Sequence, residues 1–270
     1  MSVPVESKRI TISTFKKMKA EKKKIACLTA YDASFAAVLE DAGVELILVG
    51  DSLGMVIKGF ETTVPVTMDD MVYHSQCVVR GSRRALVVAD MPFMSYYSPE
   101  QALMNAASLM QQGGVQMVKL ESSTTQIETV RRLSDQGVPV CAHLGLRPQS
   151  IHKLGGYKVQ GKDERSATLM LEDALSLQEV GAVILLLECV PSLLAAEITA
   201  NVDIPVIGIG AGMDCDGQIL VLQDLLGITT GKVPRFAHNF IEGGKTIQEA
   251  VRSYVDAVKN HDFPAARHSF

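Results

Sequence analysis

Seven short runs rich in Val, Ile and Leu recur along the chain, and each is separated from the next by a segment carrying helix punctuation. The runs are Lys24–Ala30, Glu45–Asp51, Arg84–Asp90, Val115–Glu121, Val138–His143, Ala182–Glu188 and Ile204–Gly208. They are apolar without polar alternation, the pattern of strands buried on both faces of a parallel sheet. Between them, Ala33 to Ala42 puts Phe35, Val38, Leu39 and Ala42 on one helical face and stops at Gly43. Ser98-Pro99-Glu100-Gln101 supplies an N-cap, a first-turn proline and a capping-box glutamine. Thr125 with Glu128 and Thr246 with Glu249 repeat the capping-box spacing, Pro191 opens a helix and Gly181 closes one. Asp32 reads as the cap of the helix that follows it.

Strict alternation of strand and helix allows an open doubly wound sheet or a closed (β/α)8 barrel. The chain has 270 residues, near the length of about 250 typical of the barrel. The weakly apolar Gly227–Thr230 is then the candidate eighth strand. No Pro/Gly/Ser-rich linker divides the sequence, which predicts one barrel domain over 1–270, with an N-terminal extension over 1–23 and a C-terminal helical region over 244–270. Two connections, Ser52–Thr67 and Leu144–Arg165, exceed what a minimal turn needs, and long loops on a rigid scaffold tend to cover active sites.

Composition narrows the function. Lys and Arg total 26 against 30 Asp and Glu, a net charge of −4, so no global basic field favours nucleic acid or an anionic membrane. The apolar runs fall short of the roughly 18–20 residues of a spanning helix, and the lysine-rich N-terminus lacks the apolar core of a secretion signal. Five scattered cysteines without Cys-x-x-Cys spacing argue against a disulfide framework or structural zinc and for a reducing, cytoplasmic setting.

Four apolar runs end in a carboxylate, at Asp51, Asp90, Glu121 and Glu188, and a fifth ends in His143. In a parallel barrel every strand's carboxyl end emerges on the face where such enzymes carry their chemistry. Asp51 precedes a long loop, and Asp90 runs into Met91-Pro92-Phe93 well before the Ser98 cap, so neither reads as a helix cap. Carboxylates clustered at one mouth repel unless something positive lies between them. An all-oxygen set suits Mg2+ better than zinc, and the six histidines lack metal-ligand spacing. Lys119 lies two residues from Glu121 and shares its side of the strand. It could neutralise the carboxylates, bind an anionic substrate or form a Schiff base. Glu188 closes the most apolar run, where desolvation favours the protonated form and strengthens the carboxylate as a base. His143 reads equally as a loop anchor or a ligand contact. Gly208-Ile209-Gly210-Ala211-Gly212 lacks dinucleotide spacing and reads as a tight turn or a place of close ligand approach.

Several strings occur together and in order: Val49-Gly50-Asp51-Ser52-Leu53-Gly54-Met55, Ala89-Asp90-Met91-Pro92-Phe93-Met94, Val118-Lys119-Leu120-Glu121, His143-Leu144-Gly145-Leu146, Gly155-Gly156-Tyr157-Lys158-Val159-Gln160-Gly161 and Leu187-Glu188-Cys189-Val190-Pro191. With them the chain resembles the ketopantoate hydroxymethyltransferase family from about Ile10 to its C-terminus. The resemblance implies a TIM barrel of the phosphoenolpyruvate mutase/isocitrate lyase superfamily and a cytoplasmic homodecamer acting in pantothenate biosynthesis. It implies transfer of a hydroxymethyl group from the co-substrate 5,10-methylenetetrahydrofolate to 3-methyl-2-oxobutanoate, giving 2-dehydropantoate. On matching positions, Asp51, Asp90 and Glu121 are ligands of one Mg2+ per subunit, directly or through water. Asp51, Ser52, Asp90 and Lys119 hold the keto acid, and Glu188 accepts the proton whose loss gives a Mg-stabilised enolate. The chain departs from the family pattern at Arg147, where relatives carry Thr. The alternatives are a Schiff-base aldolase using Lys119, another carbon–carbon lyase acting on a 2-oxo acid, and a non-catalytic binding protein on the same scaffold.

Overall fold

The computed structural model describes residues 9–230 and 233–270; the first eight positions of the expected N-terminal extension lie outside the described residues. Eight parallel strands follow one another around a closed barrel in chain order. They are β1 (Ile25–Thr29), β2 (Leu46–Val49), β3 (Leu86–Asp90), β4 (Met117–Glu121), β5 (Val140–Gly145), β6 (Ile184–Glu188), β7 (Val206–Ile209) and β8 (Gly217–Leu220). The ring closes where β1 pairs with β8, with Cys27 opposite Ile219. Helices cover the outside, and the strands are buried almost throughout, as their unbroken apolar character predicts.

Seven of the strands fall on the expected runs, with β5 and β7 continuing past them to Gly145 and Ile209. The eighth does not: Gly227–Thr230 is a turn, with Gly227 at φ +65° just beyond the short helix Leu222–Leu225. The strand that completes the ring, Gly217-Gln218-Ile219-Leu220, carries a glycine and a glutamine that break its apolar run. Gln218 is buried because its amide donates to the Gly212 carbonyl at 2.9 Å. The Tyr254 hydroxyl lies 2.8 Å from both the Cys27 and the Gln218 carbonyls. It fastens the C-terminal helix Ile247–Lys259 over the closing seam of the barrel.

Local signals placed most helix starts. The Ser98 hydroxyl accepts the Gln101 N–H, the Asp32 carboxylate accepts the Phe35 N–H, and Thr246 with Glu249 forms the full capping box. The expected box at Thr125 and Glu128 does not form. Thr124–Gln126 turns as a 3-10 segment, the helix Ile127–Asp135 begins one step later, and the Thr125 hydroxyl bonds Ser123 instead. Within the expected polar extension, Ile12–Ala20 is a capped helix that buries Phe15. Lys19 reaches the Thr199 and Ile204 carbonyls and Asp216, while Ile10 donates to the Arg84 carbonyl. This helix therefore closes the N-terminal end of the barrel. Lys24 is half-buried and donates to the Met213 and Cys215 carbonyls.

Candidate active site

Side chains two apart on a strand share a face, and the barrel interior shows which face is inward. Leu46, Leu48, Val88, Lys119, Cys141, Ile184, Leu186 and Ile207 surround its narrow centre. Continuing the same parity toward the strand ends, Val88 leads to Asp90, Lys119 to Glu121, Cys141 to His143 and Leu186 to Glu188. The apolar core thus gives way to a layer of ionisable groups at the C-terminal mouth. Strand register joins them laterally, with Asp90 beside Lys119, Lys119 beside Cys141, and Glu121 beside His143.

Asp51 arrives differently, from the turn after β2. Its N–H donates to Asp90 Oδ2 at 3.0 Å. Gly50 permits this approach, since a Cβ there would meet the Ser52 hydroxyl at 2.7 Å and stand 3.5 Å from Asp90 Oδ2. Asp51 caps no helix with its side chain, and neither does Asp90, in line with the sequence reading. Ser52 hydrogen-bonds Tyr31 across 2.9 Å between their hydroxyls. Lys119 donates to Asp90 Oδ1 in a buried ion pair. The loop after β5 folds over this cluster because Gly145 lets the chain pass against β6. It sits at φ +94°, and a Cβ there would lie 2.2 Å from the Glu188 carbonyl oxygen, which instead accepts the Leu146 N–H at 2.8 Å. Cys189, directly after Glu188, holds φ +49° without being glycine. Such a conformation costs energy and tends to occur at functional sites.

The loop delivers a residue the sequence reading missed. Gln149 donates from its amide to Asp51 Oδ2 at 2.7 Å and to the Met91 carbonyl at 2.9 Å, and from its backbone to Glu121 Oε1 at 2.7 Å. Its amide oxygen accepts the Tyr96 hydroxyl at 2.5 Å. Tyr31 and Tyr96 were likewise missed. The only sequence signal for Gln149 is its place in a long loop following a strand that ends in His143. Beside Glu121 and Gln149 opens a cavity of about 340 Å3, walled by Phe93, Tyr96, Tyr97, Arg147 and Lys153 among others.

Four carboxylates face one ammonium here, and burial governs the protonation of three of them. Burial raises Asp51, with the Asp90 charge adding to it; burial pushes Glu121 to about 8 and Glu188 to about 7. Burial acts to lower Lys119, but the Asp90 and Asp51 charges outweigh it and hold the ammonium above the ordinary lysine range. His143 is 2% exposed and is kept neutral by burial, reinforced by the Lys119 charge. Its Nε2 lies 3.4 Å from Glu188 Oε2, too poorly aligned for a hydrogen bond, so both ring nitrogens are without a partner. Among the described residues, no three Asp, Glu, His or Cys side chains are gathered closely enough to ligate one ion together. Asp51, Asp90 and Glu121 stand at the same mouth, joined by the Asp51 N–H to Asp90 and by Gln149 between Asp51 and Glu121.

A closed eight-stranded parallel barrel with an acidic C-terminal mouth defines a TIM-barrel protein. The fold matches 2,3-dimethylmalate lyase, described as a member of the phosphoenolpyruvate mutase/isocitrate lyase superfamily, with a TM-score of 0.56 at 14% identity over 94% of this chain and 96% of that one. It also matches phosphonopyruvate hydrolase solved in complex with oxalate and Mg2+, with a TM-score of 0.59 at 11% identity over 78% of this chain and 80% of that one. Sequence is more specific than fold. The family model for ketopantoate hydroxymethyltransferase matches residues 9–266, and the chain belongs to that family. It is 56% identical over 268 residues to the 3-methyl-2-oxobutanoate hydroxymethyltransferase of Alkalilimnicola ehrlichii, covering 99% of this chain and 97% of the relative.

Proposed function

We propose that the mouth of this barrel transfers a hydroxymethyl group from 5,10-methylenetetrahydrofolate to 3-methyl-2-oxobutanoate, with Glu188 as the proton acceptor. The observation that carries the proposal is the state of Glu188: a largely buried carboxylate, raised to about 7 by desolvation, at the inward end of β6. Such a group is a far stronger base near neutral pH than a solvated carboxylate, and a base matched to working pH is the efficient one. It removes the C3 proton of the keto acid. Lys119, held protonated, offsets the charge of the enolate, and Ser52, fixed by Tyr31, donates to the substrate together with the ammonium. Asp51 and Asp90 border the same place, and His143 presents an unpartnered ring nitrogen to whatever occupies it. Water releases the one-carbon unit at the formaldehyde level, both methylene carbon–nitrogen bonds breaking to leave tetrahydrofolate; the nucleophilic carbon attacks that unit, and the proton taken by Glu188 passes to the new hydroxymethyl oxygen.

The residues fit a divalent cation. Three buried carboxylates and the largely buried Glu188 outnumber one ammonium, and every carboxylate donor is a hard oxygen. Mg2+ commonly takes one or two carboxylates and completes its octahedron with water and substrate oxygens. We assign Asp51 and Asp90 as its holders, with Glu121 acting through water. When bound, the ion supplies Lewis acidity toward the oxygens of a 2-oxo acid. A solved superfamily neighbour carries oxalate and Mg2+, which supports the assignment.

The Schiff-base alternative needs a neutral amine, whereas Lys119 is paired with Asp90 and held protonated. Among the described residues no helix is long and apolar enough to cross a membrane. The free cysteines, four of them buried, support a reducing cytoplasmic setting. Large exposed apolar side chains such as Met104 and Leu193 support assembly into a homo-oligomer, the decamer of the resemblance.

The test is an assay with both substrates, with and without Mg2+, beside proton NMR of C3 exchange in deuterium oxide with the keto acid alone. The expected outcome is metal-dependent product and metal-dependent exchange. Product formation that survives a chelator, or a borohydride-trapped adduct at Lys119, would overturn the proposal.

A further inference from the structure

We propose that Gln149 is the positioning residue that sets Asp51 and Glu121 in register with each other, so that the cation meets a prearranged pair of carboxylates; this rests on the cation reading above. Every polar group of Gln149 except its carbonyl has a defined task. Both amide hydrogens are directed, one to Asp51 Oδ2 and one to the Met91 carbonyl, while the backbone N–H serves Glu121 Oε1. One residue of the loop after β5 therefore ties together the ends of β2, β3 and β4. It occupies one oxygen of each carboxylate and leaves the other outside its hydrogen bonds.

The amide has one sensible orientation. Flipped, its oxygen would face the Met91 carbonyl, which cannot donate, and the Asp51 carboxylate, which cannot donate in its ionised, cation-binding form. The Tyr96 hydroxyl, donating to the amide oxygen at 2.5 Å, supports the orientation found. Neutrality is as important as direction. Lys119 steadies Asp90 by cancelling its charge, whereas an amide steadies Asp51 without cancelling it and leaves that charge to attract a cation. Hydrogen-bond partners of metal ligands commonly account for about 10–100-fold in metal affinity or activity.

The test uses Mn2+ as a spectroscopic stand-in, titrated into the intact protein and followed by electron paramagnetic resonance. Gln149→Leu keeps the backbone donor and removes the amide. The expected result is Mn2+ binding about tenfold or more weaker than in the parent chain, with an altered spectrum of the bound ion at saturation. Tyr96→Phe leaves the amide bonded to Asp51 and Met91 and removes only its third tether, and is expected to weaken Mn2+ by about two- to fivefold, less than the roughly 10–100-fold of a lost direct partner of a ligand. A folded Gln149→Leu protein with affinity within twofold and an unchanged spectrum would overturn the assignment while leaving the cation reading intact. Should that variant not fold, Tyr96→Phe decides, and an unchanged dissociation constant overturns it. A parent chain that binds no Mn2+ overturns the cation reading and this inference with it.

Discussion

The two ends of the barrel each hold a lysine–aspartate pair, half-buried at one end and buried at the other, and they treat it in opposite ways. At the N-terminal end, Lys19 donates to Asp216 at 2.8 Å and to the Thr199 and Ile204 carbonyls at 3.0 Å, using all three of its hydrogens. Asp216 Oδ2 also accepts the Val206 N–H at 2.8 Å. One cation meets one anion, and the donors are spent. At the C-terminal mouth, the Lys119–Asp90 pair is surrounded by Asp51, Glu121 and Glu188, and His143 has two unpartnered nitrogens. Satisfied groups stabilise a fold but have nothing left to offer a ligand. Unsatisfied ones cost stability and retain the capacity to bind and react. The same strands therefore carry a stability end and a chemistry end.

The sharpest way to test the contrast is to remove one group from each end. Glu188→Gln should lower C3 exchange by about 10²–10⁴-fold, the range typical of a lost general base. Because it deletes a carboxylate that burial disfavours, the melting temperature should hold or rise. Exchange that persists at the parental rate would remove Glu188 as the base. At the opposite end, Lys19→Met should destabilise the protein by about 2 kcal/mol, because it strands two carbonyls and an aspartate that are largely buried. Denaturant unfolding measures that loss, while kcat should stay within twofold. A large fall in kcat in a folded Lys19→Met protein would break the division between the ends.

Protonation gives a smaller effect with a definite sign. Glu121 and Glu188 are raised to about 8 and 7, above the value of about 4.3 for an unperturbed glutamate. A raised carboxyl stabilises the fold fully below its unfolded value and loses that contribution as pH rises through the folded one. Without metal, the melting temperature should therefore increase by about 2–4 °C per kcal/mol recovered as pH falls from about 8.5 to 6. Glu121→Gln should shrink the increase, and saturating Mg2+ should oppose it by favouring the charged forms. An equal pH dependence in Glu121→Gln would show that the mouth is not its source. In parallel, the rate of C3 exchange should climb with pH through a midpoint near 7, since the base must be ionised to act.

Much of this was written locally. The run Leu86-Val87-Val88-Ala89-Asp90 states both a buried strand and an inward carboxylate at its end, because alternation along a strand is a property of the backbone. Lys119, Glu121, His143 and Glu188 were legible for the same reason, Asp51 was legible from its place at the end of an apolar run before a long loop, and the caps at Asp32, Ser98 and Thr246 from residue type and spacing. Strand β8 was not, because Gly217 and Gln218 break its apolar run and their burial depends on partners in the Gly212 turn and in β1.

Chain-local chemistry thus determined the alternating architecture and which ionisable groups would stand at the strand ends. Tertiary structure alone decided how those groups meet. Gln149 reaches Asp51 across 98 positions of sequence, Tyr96 reaches Gln149 across 53, and Lys19 reaches Asp216 across 197. Periodicity reports the direction in which a side chain leaves its own backbone. It carries no information about which distant segment a closed barrel will bring against that side chain, and hydrogen bonds and charge balance are settled there.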